Sequence, residues 1–240
     1  MNNIDFLQSS MQDCGFLLST NQITAFTKHM DLLCHHNKLF NLTTITDQQD
    51  IVLKHFVDSC MGAQVLKNSR TVVDIGTGAG FPGIPLAIMQ PHSHFVLIDS
   101  SKKKTTFLEL VKQELSLKNT EVINGRSEEI GHINTFRENF ETAVSRAVAP
   151  LHKLVELCLP LVAPGGTFVA YKGNPENAQT ETTQAQKAIS LMGGQTTDII
   201  HYTIPTTNIV HSLVVIKKIT QTKKDYPRKP NKIKNSPITV

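Results

Sequence analysis

A chain of 240 residues, 40% of them hydrophobic, is long enough for one large core-forming domain with a smaller attachment. No apolar run approaches a membrane span, the start MNNIDFLQSS lacks the basic-then-apolar pattern of a secretory leader, and four scattered cysteines without a CxxC pair speak against a disulfide scaffold or a zinc site, so a cytoplasmic protein with reduced thiols and no metal is expected. The formal charge of +4 is uneven: residues 217–240 hold eight Lys or Arg against one Asp, which leaves the rest of the chain negative.

Residues 4–18, 21–37 and about 48–66 carry helical periodicity; in the second, Ile23, Phe26, Met30, Leu33 and Asn37 share one face. Asp47 suits a cap for the third. Between the last two lies NKLFNLTTIT (37–46), whose Asn and Thr favour caps and turns. From residue 70 strands alternate with helices. Strands are expected at 71–75, 94–100, 120–130 (with its exit loop), 141–149 and 167–173, and helices at 83–90, 103–115, 151–162 and 175–193. Two late strands, 196–204 and 209–219, leave room only for a hairpin. The expected fold is α/β: a doubly wound, mostly parallel sheet with an antiparallel C-terminal hairpin, preceded by N-terminal helices. The expected divisions are a helical region 1–68, an α/β domain 69–219 and a basic tail 220–240. That tail suits a polyanion through counterion release, or is a solvated, disordered terminus.

Chemistry concentrates where TVVDI meets GTGAGFPG. Gly76, Gly78 and Gly80 directly follow a buried strand, where a sharp turn and a ligand close to the backbone require small residues. The helix that follows offers free amides and a positive partial charge. A nucleotide-like ligand is implied, and two classes compete. Gly78, Gly80 and Gly83 satisfy GxGxxG with Asp99 about 20 residues on, as for a dinucleotide. Three features favour S-adenosylmethionine instead. The strand ends at Ile75, so the glycine pattern starts at Gly76 and is out of register for a dinucleotide. Asp74 can orient the loop and complement a cationic sulfonium amino acid, whereas it would repel a pyrophosphate. The order helix, APGGTFVAYKG, hairpin resembles Rossmann-like class I methyltransferases. In that fold Asp99 faces the ribose, Ser127 and Glu128 the adenine, and Arg146 ends the fourth strand within reach of cofactor and substrate; a structural ion pair for Arg146 stays open.

The segments NKLFNLT (37–43), KHFVDS (54–59), VDIGTGAGFPGIPLAI (73–88), LIDSSKKKTTFL (97–108), GRSEEI (125–130), AVSRA (143–147), VAYKG (169–173) and HSLVVIKK (211–218) together resemble the bacterial 16S ribosomal RNA guanine-N7 methyltransferase family, also called glucose-inhibited division protein B, over nearly the whole chain. The resemblance implies S-adenosyl-L-methionine as cofactor, and 16S rRNA in the small ribosomal subunit as partner. A monomer that does not engage membranes is expected. It carries cofactor contacts onto Gly76, Phe81, Ser127, Glu128 and Arg146, beside Asp74, Gly78 and Asp99. Around the substrate it points to Asn41, His55, Arg146 and Lys172, with Asn41 and Arg146 as positioning groups. Guanine N7 carries a free lone pair and no proton, so no general base is expected. Ser101-Lys102 departs from the family's Leu-Gly at the cofactor loop, and Lys103 and Lys104 match its basic pair. An NAD(P)-dependent oxidoreductase, a non-catalytic RNA-binding protein and a small-molecule methyltransferase are the alternatives.

Overall fold

The computed structural model describes residues 2–239; Met1 and Val240, the ends of the expected helical region and basic tail, lie outside them. Helix α1 (Asn3–Asp13) stops short of the expected residue 18 because Gly15 takes φ +82°. Such a left-handed residue ends a helix at little cost only when it is glycine. Helix α2 (Thr20–Phe40) starts at a capping box between Ser19 and Gln22 and ends at Asn41, itself left-handed at φ 50°. The expected single helix over 48–66 is instead a chain of short pieces. It runs through α3 (Gln48–Ile51, capped by Asp47), a π-helical stretch Val52–Val57, α4 (Asp58–Cys60) and a 3-10 turn Met61–Gln64. A π-helical insertion re-aims side chains relative to an ordinary helix and recurs at functional sites. Here it contains His55.

The sheet then assembles from β1 (Thr71–Ile75), α5 (Gly83–Met89), β2 (His94–Asp99), α6 (Lys102–Glu114), β3 (Thr120–Asn124), α7 (Ser127–Ile130), β4 (Phe140–Arg146), α8 (Leu151–Cys158), β5 (Val162–Lys172), α9 (Pro175–Leu191), β6 (Gly194–Thr203) and β7 (Val210–Lys218). The strand order is β3-β2-β1-β4-β5-β7-β6. All neighbours are parallel except β7, which runs antiparallel to both β5 and β6. The mostly parallel sheet with its antiparallel C-terminal hairpin is therefore as expected. Strand β4 stops at Arg146 rather than at the expected residue 149, because Ala147 turns left-handed at φ 57°. That turn throws residues 147–150 across the carboxyl ends of the strands, where ligands bind in such sheets.

Each face of the sheet buries its own hydrophobic layer. On one face Phe26, Phe56 and Leu33 from the N-terminal helices pack with Val72, Phe95, Phe107 and Leu213. On the other, α8 and α9 pack through Leu154, Val155, Ala185 and Ile189 against Val73, Phe168 and Ile216. Each fully buried large side chain contributes about 2–3 kcal/mol. The N-terminal helices thus cover a whole sheet face, and they hold their polar groups against the strand ends. No helix among the described residues is long and apolar enough to cross a membrane.

The basic C-terminal segment is not the solvated, disordered terminus considered above. Lys218 is completely buried, donates to the Leu159 carbonyl at 2.7 Å and pairs with Glu138 at 3.2 Å. Burial pulls its pKa down to about 8 despite Glu138. The guanidinium of Arg228 grips buried Glu156 with Nε and Nη2, each at 2.8 Å. A last short helix, α10 (Pro230–Asn235), follows, and the segment is strapped across α8. Removing one partner of a buried pair strands the other charge. Arg228→Ala should therefore lower the unfolding free energy by about 3 kcal/mol in urea titrations; an unchanged midpoint would mean that the strap contributes no stability.

Candidate active site

The turn after β1 is built on backbone hydrogen bonds. The Gly76 amide donates to the Ile98 carbonyl at 2.8 Å and the Gly78 amide to Asp99 Oδ2 at 3.0 Å. Gly76 has φ +68°, and a Cβ there would lie 2.4 Å from the Val148 side chain. Gly83 sits so close to Asp74 that a Cβ would fall 2.7 Å from its carboxylate; its amide donates to Asp74 Oδ2 at 2.8 Å. Burial raises the pKa of Asp74 to about 7, against the pull of that amide. Asp74 is inaccessible to solvent, so it braces the turn from beneath.

Above the turn lies a cleft of about 350 Å³, walled by Gly76, Asp99, Ser127 and Glu128 with Ile98 and Leu157. Asp99 ends β2 and is fixed at both oxygens, accepting from the Ser101 amide at 2.8 Å as well as from Gly78. Lys104 reaches to within 3.9 Å of it. Carboxylates at the strand ends, an apolar wall and a bare glycine floor suit an adenosine-like ligand.

A second cavity of about 620 Å³ opens on the other side of the 147–150 loop and shares Ala147 and Val148 with the cleft. Arg146 lies on its wall. One guanidinium nitrogen donates to Asp58 Oδ2 at 2.5 Å and to the Lys54 carbonyl at 3.0 Å, the other to His55 Nδ1 at 3.0 Å. The guanidinium carbon also sits 5.3 Å from the centroid of the Phe81 ring. Asp58 accepts further bonds from Tyr202 and from His211 Nδ1, both at 2.7 Å. Burial raises its pKa, but the His211 hydrogen bond, the Arg146 charge and the Tyr202 hydroxyl outweigh it and hold the group below its usual range. Because Arg146 donates to Nδ1, His55 carries its proton on Nε2 and donates to Thr43 Oγ1 at 2.8 Å. Burial and the Arg146 charge lower its pKa to about 3. Lys172 donates to the Ala149 carbonyl at 3.0 Å and pairs with Glu181 at 2.7 Å.

Of the expected cofactor residues, Gly76, Asp99, Ser127 and Glu128 line the cleft, and four others do not. Asp74 and Gly78 shape the turn. Phe81 is buried, with its ring stacked on His55 at 4.3 Å and on His29 at 5.3 Å. Arg146 faces the second cavity because Asp58, His55 and a carbonyl consume its donors. His55 and Lys172 also line that cavity. Asn41 does not: it is the exposed, left-handed cap of α2. The residue that organises its loop is Asn37, whose side chain takes the Leu42 and Thr43 amides at 2.7 and 2.9 Å and thereby seats Thr43 against His55. Sequence reasoning also passes over Glu181 and assigns no role to Asp58 or His211, which it meets only inside the KHFVDS and HSLVVIKK segments. Their partners lie up to 153 residues away, and no local spacing marks them.

The model of one family, described as rRNA small subunit methyltransferase G, matches residues 22–210. The chain is 43% identical over 234 residues to the ribosomal RNA small subunit methyltransferase G of Alkaliphilus metalliredigens (strain QYMF), covering 97% of each. Among solved structures it resembles a SAM-dependent O-methyltransferase from Thermotoga maritima (TM-score 0.52, 13% identity, 80% of this chain and 72% of that one). It also resembles a mutant of the 16S rRNA (adenine(1408)-N(1))-methyltransferase from Catenulisporales acidiphilia (TM-score 0.52, 14% identity, 69% and 92%). At such identities these two likenesses bear on the fold alone.

Two histidines, buried His29 and half-buried His55, make the site acid-sensitive. Burial takes His29 from 6.5 to about 4, outweighing a contact with the Ala79 backbone. The unfolded chain takes up that proton first, so the stability is fully present above pH 6.5 and is lost as pH falls towards 4. Between pH 7 and 5 the loss from His29 is about 2 kcal/mol. His29→Phe, which keeps a ring against Phe81, should remove that share of the slope in denaturant titrations; an unaltered slope would contradict the assignment.

Proposed function

The chain belongs to the rRNA small subunit methyltransferase G family, and from that premise we propose that it transfers a methyl group from S-adenosylmethionine to N7 of a guanine in 16S rRNA, as a cytoplasmic monomer acting on the small subunit. The observation that carries this reading is the pair of adjoining cavities that share Ala147 and Val148 in their linings. A methyl donor and an acceptor base must come into direct contact, which two adjoining spaces allow.

The residues present suit the cofactor. The Gly76 floor leaves no room for a side chain, Asp99 offers acceptors for ribose hydroxyls, and Ser127 with Glu128 closes the opposite end. When bound, the cofactor supplies an electrophilic methyl on a sulfonium. Everything else falls to the chain. Guanine N7 has no proton to remove, so the site's task is alignment and exclusion of water rather than base catalysis. His55 accords with that: both ring nitrogens are engaged and its lowered pKa keeps it neutral. The Asp58–Arg146 pair fixes the wall behind the loop. Among the expected substrate residues, His55 acts by holding Thr43 and Arg146 in place, and Lys172 by fixing the Ala149 carbonyl. Asn41, exposed at the end of α2, is left for RNA outside the cavity. The exposed lysines of the C-terminal strap add sequence-independent attraction to phosphates; buried Lys218 and paired Arg228 do not.

Labelled S-adenosylmethionine and small subunits lacking the modification test the proposal, with the methylated nucleoside identified by mass spectrometry. Incorporation as N7-methylguanosine is expected. Gly76→Val should reduce it roughly 100-fold, since displacement of about 1 Å at a reacting centre has that effect, while the circular dichroism spectrum is retained. Methyl groups on adenine or cytosine would overturn the guanine assignment.

A further inference from the structure

The second cavity contains one carboxylate with an uncommitted oxygen, and the chemistry of guanine gives it a task. Methylation at N7 turns the N7 edge of the base towards the Ala147–Val148 wall. The opposite edge, with the N1–H and N2–H donors, then faces the far part of the cavity. The loop that carries Ala147 and Val148 ends at Leu151, whose amide donates to Glu181 Oε2 at 2.7 Å. Glu181 is therefore anchored at the loop's other end. Val148 and Glu181 line the same cavity of about 620 Å³.

Other acceptors on this wall are already engaged. Asp58 is 3% exposed and spends both oxygens on Arg146, Tyr202 and His211. His55 has both nitrogens bonded. His211 spends Nδ1 on Asp58 and carries no negative charge to answer a ring that becomes cationic. Glu181 Oε2 accepts from Leu151 and Lys172, whereas Oε1 has no partner among the described residues. Its side chain keeps 28% of its surface open.

We infer that Glu181 is a specificity-determining residue whose free Oε1 accepts the amino N2–H of the target guanine. The inference rests on the guanine reading above. With Oε2 held by Leu151 and Lys172, Oε1 is left for one donor of the base, and adenine, which has no amino group at C2, offers none there. The contact also favours the reaction itself. As the methyl group arrives, the ring becomes cationic and its amino group becomes a stronger donor, so the bond to Glu181 Oε1 tightens towards the transition state. The ammonium of Lys172 on the other oxygen fixes the carboxylate plane through the Ala149 carbonyl.

The test uses small subunits reconstituted with 16S rRNA carrying guanosine or inosine at the methylated position; inosine lacks only the N2 amino group. Wild-type protein should methylate guanosine about tenfold faster than inosine, the usual cost of one lost charge-assisted hydrogen bond. Glu181→Gln, which retains an acceptor for the Leu151 amide, should lower the guanosine rate and bring the two substrates to within about twofold of each other. Equal wild-type rates on the two substrates, or an equal slowing of both by Glu181→Gln, would overturn the inference and leave the guanine assignment standing. No wild-type methylation of guanosine subunits would overturn that assignment and the inference together. The wild-type comparison needs no variant to fold.

Discussion

Arg146 brings a permanent charge to the seam where β4 ends and the π-helical stretch begins, with only 13% of its side chain open to solvent. A charge so placed costs several kcal/mol unless it is paired and hydrogen-bonded. Asp58 supplies the pairing, and in doing so ties the N-terminal helices to the carboxyl ends of the strands. The rest of the site follows from that tie. His55 is held in one tautomer by the same guanidinium, Phe81 is packed against both, and β4 gives way directly after Arg146 to the left-handed Ala147. The 147–150 loop is left free to stand between two cavities.

The tie divides labour within the site. On one side, Gly76, Asp99 and the Ser127–Glu128 corner form a cleft whose shape depends on the turn and on buried Asp74 under it. On the other, side chains from α3–α4, β4, β5, α9 and β7 surround a larger space. Phe81 belongs to neither cavity. It joins them physically, because it leaves the cofactor turn and ends against His55 and Arg146. A change in the turn would be felt at the substrate wall through this ring. Asp58 gathers Tyr202 and His211 from the C-terminal hairpin, so the last strands to join the sheet close the same wall.

Much of the fold is legible in the sequence, because it rests on local patterns. Alternating apolar strands and periodic helices specify the parallel sheet, and the short span between residues 204 and 209 specifies the hairpin. The glycine turn is legible for the same reason: the positive φ of Gly76 and the Asp74–Gly83 contact lie within ten residues, directly after an apolar strand. The segment 48–66 is different. Its composition is helical throughout, and only tertiary contacts of His55 and Asp58 impose the π-helical register. The strand-end position of Arg146 points to the cofactor, yet its partner Asp58 lies 88 residues away and claims it. Asn41 and Asn37 are four residues apart in one motif; which of them caps and which organises the loop depends on a left-handed φ that composition does not reveal. The basic C-terminal segment resembles a tail only while charge is counted without burial.

The central claim is that cofactor and substrate occupy separate cavities, with Arg146 committed to the wall between them. A crystal structure with S-adenosylhomocysteine tests it most directly. The account predicts the nucleoside over Gly76 with its ribose at Asp99, and Arg146 still bonded to Asp58 and His55. Arg146 released from Asp58 to grip the cofactor carboxylate would contradict it.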